Sequence, residues 1–149
     1  MKMIDVGKKE ITTREAVVEA KVILKSSVIE MIKGKKLPKG DVLEAARVAG
    51  IMAAKKTPQL IPLCHPIPIE YATIDFIIKK KYIRIVTTVR GQAKTGVEME
   101  ALAAAAMSAL TIYDMCKAFD KGIIISDISL LKKTGGKSGD YIRKTSLKP

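Results

Sequence analysis

Residues 69–90 read IEYATIDFIIKKKYIRIVTTVR. The runs 69–79 and 82–90 are rich in Ile, Val, Thr and Tyr, and the Lys80-Lys81 link is short, so the stretch predicts a β-hairpin. A helix is expected on each side of it. Downstream, residues 101–119 (ALAAAAMSALTIYDMCKAF) are strong helix formers, apolar nearly all round as far as Asp114, which predicts a helix buried on most faces. Upstream, Asp41 with Glu44 forms a capping box for VLEAARVAGIMAAKK, residues 42–56, with Val42, Ala46, Ala49 and Ala53 along one close-packing stripe. Between that helix and the hairpin, Pro62, Pro66 and Pro68 exclude helix and predict a rigid, extended loop.

Further out, residues 15–25 (EAVVEAKVILK) read as a strand, and Ser26-Ser27 offer a cap for a short helix, VIEMIKGK. Residues 122–131 read as a last strand, followed by a polar tail. The order β-α-α-β-β-α-β predicts an α+β fold, a ferredoxin-like plait with one extra helix and an antiparallel sheet carrying its helices on one face. One domain, 1–149, is expected, with residues 1–13 and the basic tail 134–149 mobile. Such a fold hosts many functions and decides none.

Composition narrows the classes. A chain of 149 residues, 48% of them apolar, suits one hydrophobic core, and no apolar run has membrane-spanning length. The N-terminus lacks the pattern of a secretory signal, so a cytoplasmic protein with Cys64 and Cys116 reduced is expected. An excess of 27 Lys+Arg over 15 Asp+Glu, formally +12, attracts anions such as nucleic acid, an acidic membrane or a phosphorylated small molecule. With no Trp, two Phe and four Tyr, the chain is poorly equipped to stack bases, and the strand Tyr82–Val86 lacks the aromatic pattern of an RNA-recognition motif. No nucleic acid and no membrane are expected as partners.

Three constellations carry candidate chemistry. Glu98, Glu100, Asp114 and Lys117 mark the two ends of the long apolar helix, and Asp114 lies one turn before Lys117, where the pair relays protons or simply forms an ion pair. Its place at the end of a buried stretch favours function. Glu98 and Glu100 point to the same side only if that stretch is extended, which places the helix start near Glu100. In a regular helix Glu100 and Asp114 lie about 21 Å apart at ~1.5 Å per residue, too far for one small-substrate site. Either they belong to different sites, or two copies of the helix pack antiparallel across a two-fold axis.

The second constellation is Cys64-His65 among prolines, holding the chain's one histidine; too few ligands are present for zinc, and the rigid backbone suits hydrogen bonding or proton transfer. The third is the set of Gly-Lys elements, Lys39-Gly40-Asp41 before a helix and Lys133-Thr134-Gly135-Gly136-Lys137 in the tail, both suited to anions. Gly136-Lys137-Ser138 is not a P-loop, because Leu131 stands where the first glycine belongs and no helix follows.

Together these segments resemble the cyclic pyranopterin monophosphate synthase (MoaC) family of molybdenum-cofactor biosynthesis. The resemblance runs from Met3-Ile4-Asp5-Val6-Gly7 through KGDVLEAARVAGIMAAKKTPQLIPLCHPIPI and KTGVEMEALAAAAMSALTIYDMCKAFDK to KTGGKSGD. It implies a lyase that converts a 3′,8-cyclised dihydroguanosine triphosphate into cyclic pyranopterin monophosphate with loss of pyrophosphate. It further implies a homohexamer, a trimer of dimers with sites at subunit interfaces. By position, Asp114 and Lys117 take the catalytic acid/base roles. Leu63, Cys64, His65, Met99 and Glu100 line the substrate, and Lys39, Glu98 and Lys133 complete the pocket. Lys39 and the tail lysines, Lys137 among them, are expected to hold the triphosphate. No resident cofactor or metal is implied, and dependence on a divalent ion such as magnesium stays open.

Overall fold

A computed structural model describes residues 1–144. The elements are β1 (Thr12–Ile23), α1 (Ser26–Lys33), α2 (Val42–Leu60), β2 (Tyr71–Ile78), β3 (Tyr82–Ala93), α3 (Glu98–Cys116), β4 (Ile124–Thr134) and β5 (Tyr141–Ile142). All strand pairs are antiparallel, in the order β2-β3-β1-β4-β5. The fold is α+β, as the element order predicts, with β5 as an additional edge strand.

Strand alternation sets which face meets the helices. On β1, Ala16, Val18, Ala20 and Val22 are fully buried, and the register places Val89, Thr87, Ile85 and Ile83 of β3 opposite them. Helix α3 lies on this face against β1, β3 and β4, with α2 beside it and over β2. Two buried hydroxyls fasten the layers: Thr87 Oγ1 donates to the Ala101 carbonyl and Ser108 Oγ to the Ala46 carbonyl, each at 2.9 Å. The reverse face carries ion pairs, among them Arg84 with Glu19 at 2.6 Å.

Small residues let α2 and α3 approach closely. A Cβ at Gly50 would stand 2.4 Å from Ser108 Oγ, so the packing stripe of α2 passes through Gly50 rather than the expected Ala49, which is only half-buried. Helix α2 also continues past residue 56 and through Pro58, because a proline in a final turn forfeits a single helical hydrogen bond. Asp41 accepts from the Glu44 amide, as the capping box requires. The expected serine cap of α1 is absent. The helix begins at Ser26, its N-cap is Lys25, and the Lys25 amide donates to Asp120 Oδ2 at 2.8 Å. Among the described residues no side chain takes the N2 or N3 amide as a serine cap would; Asp120, 95 residues distant, instead satisfies the amide of the N-cap residue itself.

Helix α3 is less enclosed than its composition predicts. Ala101, Ala104, Ala105, Ser108, Ala109 and Ile112 are buried, but Met99 (37% exposed), Met107 and Leu110 (53%) leave an open stripe. Val48 and Met52 are likewise exposed on α2. The tail holds the short strand β5, whose Ile142 and Tyr141 pair with Lys132 and Lys133. Residues 145–149 of the basic tail lie outside the described residues.

Candidate functional site

Helix α3 has a chemically distinct site at each end. At its N-terminal end the prolyl loop brings Leu63, Cys64 and His65 against Thr95, Gly96, Met99 and Glu100 around a cavity of about 380 Å³. The N-terminal segment supplies Lys2, Ile4, Val6 and Lys9 to the same wall. His65 donates from Nε2 to the Ile4 carbonyl at 2.8 Å, which fixes the hydrogen on that nitrogen. Lys94 Nζ donates to the Gly7 carbonyl at 2.8 Å, a second tie on the segment.

Glu100 is 2% exposed, and its Oε2 has no hydrogen-bond partner among the described residues. Burial, with a smaller contribution from Glu98, pushes its pKa above the usual carboxylate range. A protonated carboxyl there is a hydrogen-bond donor and a candidate acid. Burial, and secondarily Glu100, raises the Cys64 thiol, which opposes a thiolate nucleophile. Both cysteines are free thiols.

A second cavity of about 810 Å³ shares Lys9, Thr95, Gly96 and Met99 with the first, so the two form one bipartite cleft. Its remaining wall includes Arg14, Lys94, Lys133, Lys137, Glu98 and Glu10. Five cationic side chains against two carboxylates give this half a net positive lining, which favours anions. Lys133 Nζ holds Glu98 Oε1 at 2.9 Å.

The expected helix start near Glu100 is corrected here. Val97, 1% exposed, is the N-cap and α3 already begins at Glu98. Successive helical positions diverge, so Glu98 reaches the cationic cavity while Glu100 turns into the apolar one.

At the C-terminal end Asp114 is bracketed by two lysines. Lys117 Nζ lies 2.7 Å from Oδ1 and Lys39 Nζ 2.8 Å from Oδ2, and Lys39 also donates to the Asp114 carbonyl at 3.0 Å. Lys117, then Lys39, holds the Asp114 pKa down to about 2, and Asp114 in turn raises that of Lys117. Lys117 is therefore an ammonium at neutral pH, a proton donor before it is a base. Within one chain this trio is exposed, with side chains 51–57% accessible, so the argument from a buried charge does not hold for it. Lys39 stands with Asp114 and not with the tail lysines expected to share its phosphate role.

All eleven expected site residues thus fall into two groups at opposite ends of α3. Leu63, Cys64, His65, Glu98, Met99, Glu100, Lys133 and Lys137 line the cleft, while Lys39, Asp114 and Lys117 form the distant trio. The sequence reading missed Arg14 and Lys9. Among 27 Lys+Arg no local pattern marks them, and only the β1–β4 pairing sets Arg14 beside Gly135. Among the described residues no three His, Cys, Asp or Glu side chains cluster as metal ligands, and no helix is long and apolar enough to cross a membrane.

Residues 3–136 match the MoaC family model. The chain is 51% identical to cyclic pyranopterin monophosphate synthase of Peptoclostridium acidaminophilum over 144 residues, covering 97% of this chain and 92% of the relative. It is 52% identical to the enzyme of that name from Desulfitobacterium hafniense, over 99% of this chain and 91% of the relative. The synthase of Streptomyces coelicolor is 48% identical over 95% of this chain and 84% of its own length. Matches of this extent establish that the chain belongs to the MoaC family.

Proposed function

We propose that the chain is a cyclic pyranopterin monophosphate synthase, a cytoplasmic lyase of molybdenum-cofactor biosynthesis. It converts (8S)-3′,8-cyclo-7,8-dihydroguanosine 5′-triphosphate to cyclic pyranopterin monophosphate and pyrophosphate. The observation that carries this reading is the bipartite cleft: an apolar cavity with a buried carboxyl opens into one lined by five cations. A purine-derived ring with a triphosphate has these two characters in the same order. Glu100, His65 and Cys64 face the ring, while Arg14, Lys9, Lys133 and Lys137 neutralise the phosphates and stabilise the departing pyrophosphate.

Ring opening and reclosure need proton transfers, and the group suited to them is Lys117, charged and oriented by Asp114. Its place at the far end of α3 leads to the second part of the proposal. The enzyme is a homohexamer, a trimer of dimers, in which Lys39, Asp114 and Lys117 of one subunit face the cleft of another. The open apolar stripes on α2 and α3 give a partner helix something to cover. No resident cofactor belongs to this reading, and turnover in the presence of EDTA tests whether magnesium is needed.

Mixing inactive Glu100→Ala with inactive Lys117→Ala subunits tests shared sites. Recovered formation of the pyranopterin product is expected. No recovery despite demonstrated subunit exchange excludes the interface arrangement, and no product from the parent chain excludes the activity.

A further inference from the structure

We propose that Gly136 is a positioning residue that holds the Arg14 guanidinium in the cationic cavity, an inference that rests on the triphosphate reading of that cavity. Arg47, Arg84 and Arg90 each pair with a glutamate, and Arg143 donates from Nε to the Leu130 carbonyl at 2.8 Å, whereas Arg14 has neither a carboxylate partner nor a bonded Nε among the described residues. Its Nε is buried without a hydrogen-bond partner, and its one bond is a long one, from Nη1 to the Gly135 carbonyl at 3.4 Å. The cavity sets this guanidinium among four lysines and two carboxylates, Glu10 and Glu98, and it pairs with neither carboxylate, so shape and not an ion pair positions it.

The shape comes from the turn between β4 and β5. A Cβ built on Gly136 would lie 2.2 Å from Arg14 Nη1 and 2.7 Å from Cζ, so the guanidinium rests directly on this glycine's backbone. The neighbouring glycine is a different case. A Cβ on Gly135 would meet the Thr13 carbonyl oxygen at 2.2 Å, an obstacle in the strand backbone that cannot step aside. At Gly136 the obstacle is the end of a flexible side chain, so a methyl group displaces the guanidinium, and the other cost it carries is the strain of alanine at a φ of 84°. Gly139 provides a matched control. It shares a positive φ, 74° against 84° at Gly136, but nothing lies within 4 Å of its would-be Cβ.

The test is calorimetric titration of inorganic tripolyphosphate into the full-length protein and its variants. Losing a charge-assisted hydrogen-bond donor predicts that Arg14→Ala and Gly136→Ala each weaken binding, by roughly ten- to a hundredfold. Gly136→Ala should add nothing in the Arg14→Ala background, and Gly139→Ala should bind as the parent does. With substrate, Gly136→Ala should raise KM and spare kcat. Equal losses from Gly136→Ala with and without Arg14, or a Gly139→Ala loss matching it, overturn the proposal. Alanine at a φ of 84° is strained in any background, so if Gly136→Ala melts earlier than Gly139→Ala, the double variant should recover only that excess loss, and no recovery of it counts against the proposal. Weakening by Lys137→Ala with Arg14→Ala and Gly136→Ala unchanged refutes this proposal alone. Unchanged binding in all three removes the triphosphate reading and this inference with it.

Discussion

The two ends of α3 present a carboxyl group in opposite electrostatic situations. At the N-terminal end Glu100 is enclosed by apolar residues, and burial drives it toward its neutral form. At the C-terminal end Asp114 stands in solvent between two ammonium groups that hold it ionised down to about pH 2. One helix therefore carries a carboxyl whose pKa is raised by burial and another whose pKa is lowered by flanking ammonium groups. The lesson is that environment, not residue type, divides the labour. Glu100, when protonated, is suited to donating a hydrogen bond in its cavity, and Asp114 to fixing the ammonium of Lys117.

The comparison can be broken most decisively at the C-terminal end. Lys117→Ala is expected to lower kcat by about 10²–10⁴-fold, the usual contribution of a positioned acid or base, with little change in KM. Asp114→Asn should follow it in steady-state kinetics and leave the melting temperature where it was, because the trio is exposed. A lost affinity with turnover intact at saturation would show that Lys117 binds substrate and moves no proton.

The middle of the helix offers a control common to both ends. Ile112→Ala removes a fully buried side chain and should cost roughly 2–5 kcal/mol in chemical denaturation, without selective loss at either site. A selective kinetic defect at normal stability would mean that the core of α3 couples the ends.

The smallest effect lies at Glu100 and concerns pH. Its folded pKa is raised above the ordinary value of 4.5, so the folded state holds the proton more tightly than the unfolded one. The associated stability is full below pH 4.5 and is lost as pH rises through the folded pKa. Glu100→Gln, neutral throughout, should therefore gain stability relative to the parent as pH climbs from 4 toward 8. Parallel stability curves would show that Glu100 is ionised in the folded chain.

The sequence by itself determined the order of elements, because alternating β-branched residues and a long alanine-rich run specify period and length locally. It also determined that Glu100 and Asp114 are separated, since helical rise is fixed by backbone geometry. The short strand β5 was not legible, because two residues, Tyr141 and Ile142, carry no periodicity. Other features were decided by the tertiary structure alone, for the physical reason that their causes lie far away in the chain. Asp120 holds the Lys25 amide at the start of α1, Gly135 and Gly136 bear on Thr13 and Arg14, and the N-terminal segment meets His65. Charge state follows the rule in part: burial by distant segments raises the Glu100 pKa, while Asp114 is held ionised first by Lys117, its near neighbour in sequence, and then by Lys39, which the fold delivers from 75 residues away.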